Sequence, residues 1–232
     1  MPSSVVITPL KVEECFEDFR SVTNIERLDF KRVGNGFLVW NEKRQALFCE
    51  GGTGASNFAD SSYVLCHCPK VKEVIFVGTG GGIGEYMRTA DINMPPSCIR
   101  LDKVLEGFLP VKAPAKASQG LLEKLKRSIE GAARDLGIRV HSGIHATVPF
   151  FMSETKQLLT NLQKQGAISV DMELSVLYAL ANHYNKKVTG VVRIGDLPLG
   201  GLPAWKSRSY KLQLKREVHR GIMGGITTYI FE

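Results

Sequence analysis

Apolar positions recur along this chain in two rhythms. Short apolar runs of strand length and strand composition fall at residues 4–7, 37–41, 45–49, 72–77, 139–142 and 187–194. Longer stretches with apolar residues three or four positions apart predict helices over 12–23, 56–66, 118–136, 153–165, 172–184 and 206–231. Ser118 and Ser153 are placed as N-caps, and Gly137 and Gly166 as C-terminal glycines. Strands alternating with helices predict an α/β fold with a largely buried sheet. No linker interrupts the pattern, so residues 1–232 are expected to form a single domain. Residues 91–117, with Pro95, Pro96, Pro110 and Pro114, are less regular and suit a flap over a site or a contact with another subunit.

Two carboxylates stand at the edges of this pattern. Leu174, Leu177, Tyr178 and Ala181 predict one buried face on the helix at 172–184, with the run from Ala167 to Glu173 opening it. A glutamate in a first helical turn is ordinary, because it complements the helix dipole. Asp196, followed by Leu197 and Pro198, is equally ordinary as a turn. Their flanks argue otherwise: Ile168-Ser169-Val170 precedes one acid and Val191-Val192-Arg193-Ile194 the other, so both close apolar elements. Strand ends are where open α/β folds hold their ligands.

The glycines at 78, 80, 81, 82 and 84 follow the apolar run at 72–77, as in dinucleotide or S-adenosylmethionine folds. No frame among them gives Gly-x-Gly-x-x-Gly, since Ile83, Glu85 and Met87 fall in turn on the third-glycine position. The same glycines let backbone approach an anion or sugar, with Thr79 supplying a hydroxyl.

With 44% hydrophobic residues in 232, the chain is large enough for a sizeable core. Its five cysteines, an odd number, point to reduced thiols, and Cys66-His67-Cys68 lacks the second ligand pair of a zinc site, so no metal is expected. A net charge of +7 raises the question of nucleic acid. The basic residues that cluster are Lys206, Arg208, Lys211, Lys215, Arg216 and Arg220, on a segment where Tyr210, Leu214, Val218 and Ile222 recur every four positions. An amphipathic helix with a solvated basic face accounts for them, so no nucleic acid partner is expected. The N-terminal residues lack the pattern of a secretion signal and no apolar run has spanning length, so a cytoplasmic protein without a membrane partner is expected.

The acid-bearing segments resemble the nucleoside phosphorylase family, in which a Val-Glu-Met-Glu helix start is followed by a Val-Ser-Asp strand end. Here the two read Val170-Asp171-Met172-Glu173 and Ile194-Gly195-Asp196, with 23 positions between Glu173 and Asp196. The family's glycine-rich turn before a helix is matched by Gly51-Gly52-Thr53-Gly54-Ala55-Ser56-Asn57, and its strand ending in Gly-Thr/Ser-x-Gly by Val77-Gly78-Thr79-Gly80. These motifs keep the family's order across nearly the whole chain. The resemblance implies a mixed central β-sheet flanked by helices, and a homo-oligomer, from dimer to hexamer, whose sites borrow residues across an interface. It implies cleavage of an N-glycosidic bond in a small-molecule nucleoside, without a cofactor. Glu173 would accept the ribose hydroxyls, Met172 would pack on the sugar, Asp196 would act as the acid toward a purine-type base, and Phe151 with Met152 would flank the base. Gly54, Thr79 and Lys11 would line the phosphate or nucleophile side, with phosphate as co-substrate if the reaction is phosphorolysis.

The phosphate side departs from the family pattern. Its Gly-Asp-Pro-x-Arg loop reads Ile7-Thr8-Pro9-Leu10-Lys11 here, its strand arginine reads Phe76, and its arginine lent by a neighbouring subunit reads Asn35. Lysine loses the bidentate fork of arginine, and phenylalanine loses the charge. Phosphorolysis of a purine-type nucleoside is the expected reaction, with hydrolysis by a nucleosidase of methylthioadenosine type and nucleoside binding without catalysis as the alternatives. A methyltransferase is the remaining alternative.

Overall fold

The computed structural model describes residues 2–13, 17, 28–110, 112–134, 136–201 and 212–232, with side chains described from residue 216 onward in the last stretch. The strands are β1 Ser4–Thr8, β2 Asp29–Val33, β3 Gly36–Trp40, β4 Gln45–Glu50, β5 Glu73–Gly82 and β6 Ile92–Asn93. They continue with β7 Cys98–Arg100, β8 Val140–His141, β9 Ile144–Thr147, β10 Ala167–Asp171 and β11 Lys187–Asp196. The helices are α1 Ala55–His67, α2 Gln119–Arg134, α3 Lys156–Lys164, α4 Leu174–His183 and α5 Leu212–Phe231. Among the described residues this is the expected α/β architecture, a mixed sheet with helices on its faces.

The sheet branches at β5. One path runs β2-β3-β4-β1-β5-β10-β9-β7, while β11 joins β5 and leads through β6 to β8. β5 lies parallel to β1 and β11 but antiparallel to β10, which meets it at Gly81 and Gly82. β5 is buried along almost its whole length, as a strand covered on both faces must be. On one face Val5, Ile7, Val74 and Phe76 pack against α1 and α4; on the other Val6, Ile75, Val77 and Val191 pack against α2 and α5.

The helices differ in how they use the core. α2 buries Leu121, Leu122, Leu125, Ile129 and Ala133, one stripe at helical spacing. In α4 every residue from Leu174 to Ala181 is buried, so the single buried face expected there becomes a helix enclosed all round.

Three expectations need correction. Ala167–Asp171 does not open the helix; it is β10, and α4 begins only at Leu174. The cause is the β-branched and small content of that run, which is paired on both sides, with β9 and with the end of β5. Ser153 is not the cap of α3: it closes a 3-10 turn over Phe151–Ser153, and Thr155 caps the helix by accepting the Leu158 N–H at 3.2 Å. Ser118 directly precedes α2, but its side chain accepts the Val188 N–H at 3.0 Å and so ties that helix to β11. Gly137 and Gly166 hold the expected left-handed conformation, φ 64° and 88°. The region at 91–117 contains β6 and β7, both too short to show a strand period. Most of the helix expected at 12–23, and residues 206–211 of the one expected at 206–231, lie outside the described residues.

Candidate active site

The carboxyl ends of β1, β4, β5, β10 and β11 converge. At the end of β4 the turn through Gly51 to Gly54 folds back over β1, with the Gly51 N–H donating to Thr8 O at 2.8 Å and Thr53 Oγ1 to Pro9 O at 3.1 Å. Gly54 has φ +84°, a left-handed conformation that favours glycine, and stands directly before α1. Its N–H donates to Glu173 Oε1 at 2.6 Å. The glycine turn and the sugar-side acid expected from sequence are thereby one bonded unit.

Glu173 stands at the N-cap of α4 and is 3% exposed. Its second oxygen accepts the Met172 N–H at 3.3 Å. Burial first, and the charge of Asp171 second, push its carboxyl up to about 8 against the opposing pull of the two N–H groups. Asp171, at the end of β10, accepts from Thr147 Oγ1 at 2.7 Å, from the Glu173 N–H at 3.2 Å and from the Leu174 N–H at 2.9 Å. It thus fills the side-chain capping role at the start of α4 that Glu173 leaves vacant.

Asp196 ends β11, is buried, and falls beyond an irregularity in the ladder that sets it opposite Gly81 of β5. The adjoining strand ends leave no room for side chains: a Cβ on Gly80 would collide with Val170 O, and one on Gly195 would come within 2.6 Å of Thr79 Cγ2. Thr79 Oγ1 accepts from Arg193 Nη2, directly across on β11, at 2.9 Å. Phe151 is half-buried on the 3-10 turn and Met152 is 76% exposed. Glu154, just after them, is pushed up to about 7 by burial and then by Asp196 and Asp171. The charges of Asp196 and Asp171 thus act on the residue that follows the turn. Lys11 is exposed beyond the end of β1.

Phe76, in place of the strand arginine, is fully buried and meets Phe58 edge to face at 5.5 Å. Arg32 is engaged by Glu13 at 2.8 Å on the surface. Sequence reasoning missed Arg193, Asp171, Glu154, Thr147 and His145 as parts of the site. Two of them carried a signal: Arg193, a charge inside a β-branched run, and Asp171, an acid within the motif that ends in Glu173. A cleft of about 820 Å³ lies elsewhere, between Lys43, Glu73, Lys124 and Arg127 at the amino ends of β1 and β5, and includes none of these residues.

A sequence model described as the Phosphorylase superfamily matches residues 6–220. The chain belongs to that superfamily. A DeoD-type purine nucleoside phosphorylase of Colwellia psychrerythraea is 28% identical over 197 residues, 84% of this chain and 80% of that protein. The match to the DeoD-type enzyme of Streptococcus pyogenes serotype M5 is 27% identical and shorter, 127 residues, spanning about half of each chain, 54% and 52%. A uridine phosphorylase of Thermococcus kodakarensis is 30% identical over 123 residues, 47% of this chain and 43% of that one. Among solved structures, a purine nucleoside phosphorylase of Toxoplasma gondii in complex with immucillin-H superposes with a TM-score of 0.75 at 17% identity, covering 99% of this chain and 92% of that one. The superfamily and the fold therefore agree with the branched sheet, and the motifs that carried the resemblance lie at its carboxyl edge.

Proposed function

We propose that this chain cleaves the N-glycosidic bond of a purine-type nucleoside by phosphorolysis. The observation that carries the reading is the bond from the Gly54 N–H to Glu173 Oε1, which joins the glycine turn to a buried acid at the carboxyl ends of the strands, where Asp196 also ends β11. In this reaction a phosphate oxygen bonds to C1′ as the bond from C1′ to the base nitrogen breaks, its electron pair leaving with the base. Asp196 donates a hydrogen bond or proton to the leaving base. Glu173 accepts the ribose hydroxyls best when ionised, since a carboxylate has no O–H to place and offers all its lone pairs as acceptors. Met172 packs on the sugar, and Phe151 with Met152 flanks the base.

On the nucleophile side, Arg193 occupies a lone pair of the Thr79 hydroxyl, so the hydroxyl proton is left to donate to an anion. Gly54 and Lys11 complete that side. One observation favours hydrolysis as the second reading: Phe76 places an apolar ring on the strand leading to Thr79, which lowers the affinity for a dianion. The reading carries with it a cytoplasmic homo-oligomer that needs no cofactor.

Incubating the protein with inosine, adenosine, methylthioadenosine or uridine, with and without phosphate, and following free base separates these readings. Release that requires phosphate supports phosphorolysis; equal release without it supports hydrolysis; binding without release sinks both. Asp196→Asn and Glu173→Ala are each expected to reduce release by about 10²–10⁴-fold, the usual scale for loss of an acid or a sugar-positioning group.

A further inference from the structure

A buried polar chain leads into Glu173 from behind the site, and its hydrogen bonds can be followed one at a time. Asn93 is fully buried on β6; its Oδ1 accepts the Gly143 N–H at 3.0 Å, which fixes the amide so that Nδ2 is the donor. Nδ2 then donates to Gly143 O at 3.2 Å and to Ser169 Oγ at 2.7 Å. Ser169 Oγ also lies 2.7 Å from Nδ1 of His145, whose side chain is fully buried on β9. Asn93 donates into this hydroxyl, which leaves the serine proton available to His145 Nδ1; with that bond made, the ring proton of a neutral imidazole sits on Nε2. Nε2 is 2.9 Å from Asp171 Oδ1, off the angle of a hydrogen bond, so the attraction is chiefly electrostatic. Asp171 in turn holds the N–H groups of Glu173 and Leu174.

We propose that His145 is a positioning residue: locked as its Nε2–H tautomer by Asn93 and Ser169, it presents that proton to Asp171 and thereby governs how strongly Asp171 repels a charge on Glu173. The functional part of this inference rests on the reading that Glu173 receives the sugar; the coupling itself does not. Other titratable groups share this side of the sheet. From β7 comes Cys98, the register partner of His145, and from α4 comes Tyr178; both are held protonated chiefly by burial. Asp102 is committed to Ser175 Oγ at 2.7 Å, and Arg100 keeps Nε and Nη1 buried without hydrogen-bond partners. Of these groups, His145 is the one within 3 Å of the acid that starts α4.

The test is a carboxyl ¹³C titration of glutamate-labelled protein, with the Glu173 signal assigned by its loss in Glu173→Gln, alongside the pH profile of kcat/KM. His145→Phe keeps an aromatic ring but removes the Nε2–H, so Asp171 repels Glu173 more and the Glu173 midpoint moves up. A one-unit move corresponds to about tenfold less ionised Glu173 at neutral pH, read as about tenfold higher KM for nucleoside that recovers in alkaline buffer. His145→Gln, whose amide N–H can stand where Nε2–H stood, is expected to restore the wild-type midpoint, which a merely structural role would not do. Ser169→Ala leaves the ring in place but removes the tautomer lock, and its midpoint also rises. A Glu173 midpoint unchanged in His145→Phe overturns the proposal; should that variant fail to fold, an unchanged midpoint in Ser169→Ala overturns it. Wild-type protein that releases no base would remove the functional reading of the site, while the titrations would still decide the coupling.

Discussion

Glu173 keeps its proton in an environment built of acceptor-seeking N–H groups, because burial and Asp171 outweigh Gly54 and Met172. This has a consequence for stability. A carboxyl raised from 4.5 to about 8 on folding binds its proton more tightly in the folded state. The resulting stabilisation is complete below pH about 4.5 and is lost as pH rises through about 8. Glu154, raised to about 7, adds in the same direction over a slightly lower window. Glu173→Gln, its amide oxygen turned to Gly54, is expected to be more stable than wild type near pH 9 by on the order of a few kcal/mol. The difference should vanish near pH 4, as thermal unfolding across that range would show. On the proposed reading of the site, nucleoside binding is expected to run the opposite way, improving as Glu173 ionises. At this scale the sequence showed Glu173 and Asp196 because acids stand out beside apolar runs. It hid the roles of His145 and Asp171 because these depend on neighbours from β6, β9 and β10, which no local pattern brings together.

Elements were legible in proportion to their length and their exposure contrast. α2, with one buried stripe, was legible nearly to its ends, whereas β10 was absorbed into the helix that follows it because a strand buried on both sides has no polar alternation to reveal it. β2 was missed for the converse reason: all five of its residues are exposed. The glycines at the end of β5 were recognised, and at Gly80 the backbone that approaches closely is that of a neighbouring strand. Gly80 faces Val170 O where β10 crosses β5, so Gly80→Ala must force the two strands apart. We expect a loss of about 1–3 kcal/mol or more in denaturant unfolding, the cost of overpacking a tight site. Gly54→Ala, where a Cβ would meet nothing within 4 Å, is expected to lose only the conformational cost of φ +84° in stability, yet to weaken activity by displacing the N–H that holds Glu173.

On the scale of the whole molecule, the described surface carries an aromatic patch where α1, the end of α4 and the loop after β7 meet. Tyr63 stacks on His67 at 5.5 Å and meets Phe108 and Tyr184 edge to face at 5.8 and 5.9 Å. Val64 beside them is 59% exposed and Phe108 51%. If a second copy covers this face in the expected homo-oligomer, Val64→Glu should lower the mass measured by light scattering in solution. An unchanged mass would assign the assembly to another face.

The branching of the sheet at β5 also bears on how the chain comes to be made. β5 pairs with β1, whose register partner Ser4 lies 69 positions before Glu73, and with β11, where Arg193 lies 114 positions beyond Thr79. Contacts of such long range form slowly, since the loops between them must close first. During synthesis, β5 therefore emerges well before β11 and β10 exist to cover its edges. A chain truncated before Lys187 would present a long apolar strand with one side unpaired, so truncation there is expected to yield aggregates rather than partial activity.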